Sequence, residues 1–280
     1  MRELYTSMIF LTVALLVMWI WFIPSTTVEA FQSQSNIVIC LLCVCPTDRV
    51  LAFAQKYAET HPVYVVCDDP ECKVPDNMPF TFVKLTDEVC KSSGYNGANP
   101  AISKRPSAWD KAIYYFCTQK MDVGHVWFIE EDVFVPRESL FKELDDRFPD
   151  TDFIMKQNVK DSDDTSFEFW YDGDGKMERP FYRSLVCVTR ISRRLLDLVK
   201  KLHDSKNTLV FIEIMFNTLA VQNNLSMQMP PEMQNVIFRH TWTAETVDNN
   251  QFFHPVKDVV EHDVYRERLT QKSESNPPVE

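Results

Sequence analysis

The stretch His125-Val126-Trp127-Phe128-Ile129-Glu130-Glu131-Asp132-Val133-Phe134-Val135-Pro136 decides how this chain is read. Four apolar residues run into three consecutive carboxylates, and a second apolar run ends at once in proline. That pattern reads as a buried strand breaking at its C-terminal end, with the acids at the edge of a sheet. In open α/β sheets ligands bind at that edge. Adjacent carboxylates repel one another unless a cation or bound water lies between them, so something positive is expected there.

Upstream, from Asn36, strand and helix patterns alternate. Ile37 to Cys45 reads as one continuous apolar strand, and Thr47 caps a helix whose Val50, Leu51, Ala54, Tyr57 and Ala58 recur at helical spacing. Val63 to Cys67 is the next strand and ends in Asp68-Asp69-Pro70, a second acidic strand end; Phe80 to Leu85 is a third. The order β-α-β-loop-β predicts a mostly parallel sheet flanked by helices. Cys90 to Arg105, with Gly94, Gly97 and Pro100, reads as a long loop. Ser107 with Asp110 three residues on approximates a capping box, opening a helix with a stripe of Trp109, Ala112, Ile113, Phe116 and Cys117.

Downstream, a helix is expected from Glu138 to Phe148 and a strand near Phe153 to Met155. Asp161 to Glu178 is a loop or hairpin tip carrying Phe167, Phe169, Trp170 and Tyr171. Those aromatics either face a sugar ring or pack under the loop. Leu185 to Thr189 reads as a strand, and Ser192 caps a helix running through His203. Glu213 then stands alone in the apolar helical run Phe211 to Ala220. Strands near Met227 and over Val236 to Thr241 precede Phe252-Phe253-His254-Pro255-Val256-Lys257 and a charged helix holding His262 and Arg266. The tail from Ser273 is expected to be disordered.

With 280 residues and 45% apolar content the chain can bury one large core, placed here over residues 36–270, with 271–280 as the tail. A net charge of −11 and the lack of a basic face exclude nucleic acid as the expected partner. An anionic ligand would then need a metal bridge. Met8 to Ile23 is apolar apart from Thr12, with Trp19, Trp21 and Pro24 at its end, and reads as a membrane span over 8–24. Residues 1–7 would be a cytoplasmic stub and 25–35 a short stem, giving a single-pass type II protein with a lumenal domain. Val28-Glu29-Ala30 also fits a signal-peptide cleavage site, so the leader alternative stays open.

The eight cysteines spell no zinc site: Cys40, Cys43 and Cys45 share one apolar strand as buried thiols, and no disulfide connectivity can be read. Asn224-Leu225-Ser226 is compatible with a secretory route. Neither a Walker A nor a G-x-G-x-x-G motif is present.

The apolar strand ending in Glu130-Glu131-Asp132, preceded by a β-α-β unit with Asp68-Asp69, resembles the D-x-D region of GT-A fold glycosyltransferases. The Glu-Asp-Asp form of Golgi N-acetylglucosaminyltransferases is similar to it. The resemblance implies a GT-A-like (Rossmann-like) domain that transfers a sugar from a nucleotide-sugar donor to a glycan or glycoconjugate, in the Golgi lumen. It implies that Asp132 binds Mn²⁺ or Mg²⁺ directly, while Glu130 and Glu131 hold metal-bound water and the ribose. Glu stands here where Asp is commoner. Asp68 resembles the acid that hydrogen-bonds the nucleotide base, and Asp110 or Lys111 would reach ribose or phosphate. His254 and Lys257 resemble C-terminal residues that return to the metal and the diphosphate. Glu213 lies at a separation from the acidic strand similar to that of the base in inverting relatives, which makes it the expected catalytic base. A nucleotidyltransferase of the same fold and a catalytically silent, anchored carbohydrate-binding relative are the alternatives.

Overall fold

The computed structural model describes residues 36–99 and 105–275. In chain order its elements are β1 (Ile37–Cys43), α1 (Asp48–Tyr57), β2 (Val63–Cys67), β3 (Thr81–Val83), α2 (Asp87–Ser92), α3 (Ala108–Thr118), β4 (His125–Glu130), α4 (Ser139–Arg147), β5 (Phe153–Ile154), β6 (Val159–Lys160), β7 (Tyr182–Arg183), β8 (Val188–Ser192), α5 (Arg193–Lys206), α6 (Ile212–Gln222), β9 (Met227–Gln228) and α7 (Val259–Ser275). Seven strands form one sheet in the order β3-β2-β1-β4-β8-β5-β9. Its pairings are parallel except where β8 runs against β4 and β5. This is the mostly parallel, helix-flanked α/β sheet expected from the sequence.

All seven residues of β1 are buried. Ile37, Ile39, Leu41 and Cys43 face α1 and α4, where Val50, Phe53, Tyr57, Leu140 and Phe141 cover them. Val38, Cys40 and Leu42 face α3, α5 and α6. A strand roofed on both sides has no polar face, which is why β1 reads as an unbroken apolar run. Helix α3 starts as its sequence dictates: the Ser107–Asp110 capping box is formed, and Trp109, Ala112, Ile113, Phe116 and Cys117 are all buried.

Several boundaries differ from the sequence reading. β1 stops at Cys43, because Val44 turns its amide to Glu131, and Cys45 leaves the sheet to form a disulfide with Cys72. Part of the expected loop after Cys90 is helical, since Thr86 caps α2 by accepting from the Val89 amide. β8 is Val188–Ser192 rather than Leu185 to Thr189, a shift that keeps Val188 opposite Ile129. Val236 to Thr241 makes a single bridge to His254 and no strand, as residues 238–241 lie exposed. α7 carries the chain to Ser275, past the expected start of a disordered tail. Among the described residues no helix is long and apolar enough to cross a membrane, and the expected span 8–24 lies outside them.

One buried charge cluster ties the sheet to α4. Asp145 accepts from Arg190 Nη1 at 2.6 Å and Trp127 Nε1 at 3.0 Å, and its other oxygen lies 3.0 Å from His61 Nε2. Arg190 is fully buried, so removing its carboxylate strands a desolvated cation. Asp145→Ala is expected to lower unfolding stability by roughly 3–5 kcal/mol. Urea denaturation of the variant against wild type measures it.

Candidate active site at the carboxyl edge of the sheet

The three acids at the end of β4 are separated by their partners. Glu130 accepts from Trp109 Nε1 at 2.7 Å, and Glu131 accepts from the Val44 amide at 2.9 Å. Burial raises both carboxyls, with Asp132 adding to the rise. Asp132 behaves oppositely. Burial pushes its carboxyl up, but His254 and Lys257 override that and bring it down to about 2. Lys257 Nζ donates to Asp132 Oδ2, and His254 Nε2 lies 3.5 Å from the same oxygen.

The C-terminal segment reaches this corner because it is bonded there along its backbone. Phe134 and Phe253 bridge one another, and the Val256 amide donates to the Asp132 carbonyl at 2.8 Å. His254 Nδ1 lies 2.7 Å from the Ile237 carbonyl. A carbonyl only accepts, so Nδ1 carries the proton and Nε2 faces the carboxylate. Nε2 then either shares a proton with Asp132 or offers its lone pair to a cation beside it. Burial lowers the His254 pKa, but Asp132 outweighs it and the net shift is upward.

Cys187 belongs to the same corner and was missed in the sequence, where it looks like another thiol in an apolar run. The register of β8 on β4 brings it beside Glu130, whose amide donates to the Cys187 carbonyl at 2.8 Å. Donor atoms of Glu130, Cys187 and His254 lie within 4.8 Å of one another. They offer a carboxylate oxygen, a thiol sulfur and an imidazole nitrogen, and the bond from His254 Nδ1 to the Ile237 carbonyl orients that ring as a ligating histidine needs. The residues therefore fit a divalent cation.

Glu213 is the second residue of α6, and its backbone carbonyl accepts from the Ser184 amide at 3.0 Å. Its side chain hydrogen-bonds to no other described residue. Burial raises its carboxyl to about 7; Arg183 and His254 oppose the rise and Glu130 adds to it. A carboxyl in that state exchanges a proton near neutral pH.

At the end of β2, which β1 separates from β4, Asp68 Oδ1 accepts from the Ala108 amide at the start of α3. Burial raises Asp68, while the amide and Lys111 pull it back. Asp110 and Lys111 are placed differently from the expectation that they reach a ligand. Asp110 Oδ1 accepts from the Ala98 amide at 2.9 Å and Oδ2 from the Ser107 amide and hydroxyl at 2.8 Å. Lys111 is 1% exposed, with Nζ 2.6 Å from the Asp68 carbonyl and 2.9 Å from Asp87 Oδ1. Asp110 is thus taken up by the segment before α3, and Lys111 by the loop that carries Asp68 and by Asp87.

The aromatic loop largely packs inward. Trp170 is buried, and Phe167 stacks on Phe211 at 6.1 Å under the Arg183 guanidinium. Of its four aromatics only Tyr171 is exposed.

No known family model matches the chain, and no curated protein matches it. Among solved structures it is similar to the galactosyltransferase LgtC in complex with donor and acceptor sugar analogues. That likeness has 14% identity and a TM-score of 0.41, covering 87% of this chain and 97% of the other. An active-site mutant of LgtC gives 14% identity and 0.44 over the same shares. Mouse xyloside xylosyltransferase 1 in its apo form gives 10% identity and 0.35, over 69% of this chain and 84% of that one. These likenesses are distant.

If Asp132 and His254 hold a cation, Asp132→Asn and His254→Ala should each weaken Mn²⁺ binding by at least the roughly ten- to hundredfold that an outer-shell partner costs. Calorimetric titration with MnCl₂ reads it; wild-type affinity in both variants would remove the metal site.

Proposed function

We propose that this chain is a metal-dependent glycosyltransferase that moves a sugar from a nucleotide-sugar donor to a glycan or glycoconjugate acceptor with inversion. The observation that carries the reading is the convergence at one sheet edge of the Asp132–His254–Lys257 corner with Glu213, a carboxyl poised near neutrality. A bound Mn²⁺ or Mg²⁺ would neutralise the donor diphosphate there. Lys257, exposed along most of its length, turns from Asp132 to the departing diphosphate. Asp68 and Glu131, at the ends of β2 and β4 with β1 between them, would face the nucleoside side.

In the reaction the acceptor hydroxyl attacks the anomeric carbon while the bond from that carbon to the diphosphate oxygen breaks. Glu213 takes the hydroxyl proton, and the nucleoside diphosphate leaves with the bonding electrons. A single displacement of this kind inverts the sugar. We place the expected span 8–24 in a Golgi membrane, with the domain lumenal. Resistance of the full-length protein to carbonate extraction supports that topology, and a mature N-terminus at Phe31 refutes it.

Glu213 must be deprotonated to accept a proton, so turnover should rise with pH through about 7. Glu213→Gln should lose about a hundredfold or more in transfer, with donor affinity kept. Stability changes with pH in the opposite direction. A carboxyl raised from 4.5 to about 7 favours the protonated fold, so stability falls as pH climbs through that window. The Gln variant should therefore melt no lower than wild type at pH 8. Near-normal turnover in a destabilised variant would return Glu213 to a structural role, and donor binding with no turnover by wild type would identify a silent relative.

A further inference from the structure

The segment between Val236 and Lys257 borders a hollow that shares only Lys257 with the corner assigned to the donor. Phe238, Arg239, His240, Thr241, Pro255 and Lys257 line a cleft of about 590 Å³ beside the His254 corner. That is the size of a small-molecule site and well beyond one phosphate group. In a chain of net charge −11, three of these six residues are basic in type. Lys257 is paired with Asp132, but among the described residues Arg239 has no acidic partner. Its guanidinium lies 5.1 Å over the Phe238 ring, which is 64% exposed. His240 rests on Trp242 with ring centres 4.1 Å apart. An exposed ring beside an unpaired guanidinium offers an apolar face and an anion donor together.

We propose that this cleft is the acceptor subsite and that it takes a sugar bearing a carboxylate, sulfate or phosphate group, with the anion on Arg239 and the ring against Phe238. The proposal rests on the transferase reading and deepens it by naming the acceptor class. Arg239 suits the task better than a lysine because its planar fork matches an oxyanion at two points. The cleft adjoins Lys257, so an acceptor seated in it lies next to the corner where the diphosphate departs.

The test is saturation-transfer NMR on the full-length chain in detergent with EDTA, using glucuronic acid, galactose 6-sulfate and glucose 6-phosphate against neutral glucose and galactose. At least one anionic sugar should bind about tenfold or more tightly than its neutral parent, the factor expected of a charge-assisted hydrogen bond. The sugar that does so identifies the anion. Arg239→Ala should erase the preference, Arg239→Lys should keep part of it, and Phe238→Ala should weaken charged and neutral sugars alike. Equal binding of charged and neutral sugars, or an unchanged preference in Arg239→Ala with its melting temperature kept, overturns the proposal. It is also overturned if pyrophosphate displaces the anionic sugar and Arg239→Ala weakens both equally, because the cleft is then the leaving-group pocket. Failure of the transferase reading looks different: charge-selective binding persists while no nucleotide sugar is turned over with Mn²⁺.

Discussion

The site is built around the cost of ending a buried strand in three acids. At about 4 Å and an effective dielectric near 20, each unscreened like-charge pair costs roughly 4 kcal/mol. The fold offsets part of that cost by giving each acid a partner from a different element: Trp109 of α3 for Glu130, the Val44 amide after β1 for Glu131, and His254 with Lys257 for Asp132. Only the last of these partners is cationic. Lys257 and His254 thus keep Asp132 ionised while burial raises its two neighbours.

That arrangement depends on the C-terminal helix. His262 of α7 is fully buried, stacked on Phe53 at 5.1 Å, with Nε2 3.1 Å from the Val256 carbonyl. Burial takes its pKa down to about 4, so it stays neutral and serves as a fixed donor at physiological pH. Arg266 adds a bond from Nε to the Val135 carbonyl at 3.2 Å. Together they fasten the stretch around Val256 and Val135 that carries His254 and Lys257 to Asp132. Packing of α7 against Phe53 of α1 therefore sets the geometry of the Asp132–His254 corner.

Local pattern recorded what local physics controls. The buried strands, the acids that end β2 and β4, the capping box of α3 and the lone carboxylate of α6 are legible because periodicity and capping depend on neighbours in sequence. The site residues from the C-terminal segment were legible only by resemblance, and the structure does bring His254 and Lys257 to Asp132. Asp110 and Lys111 look as available as any charged pair on a helix, yet burial turns them inward, Asp110 to the Ala98 amide and Lys111 to the Asp68 carbonyl. Cys187 carries no mark in its sequence; the antiparallel register of β8 alone puts it beside Glu130. Cys45 and Cys72 pair for a similar reason, since two loop ends meet only after β1 and β2 lie side by side. The sequence by itself thus determined the sheet and the acid edge. Tertiary structure decided which residues share that edge, because strand register and long-range packing, unlike helical period, leave no imprint on the residues adjacent in the chain.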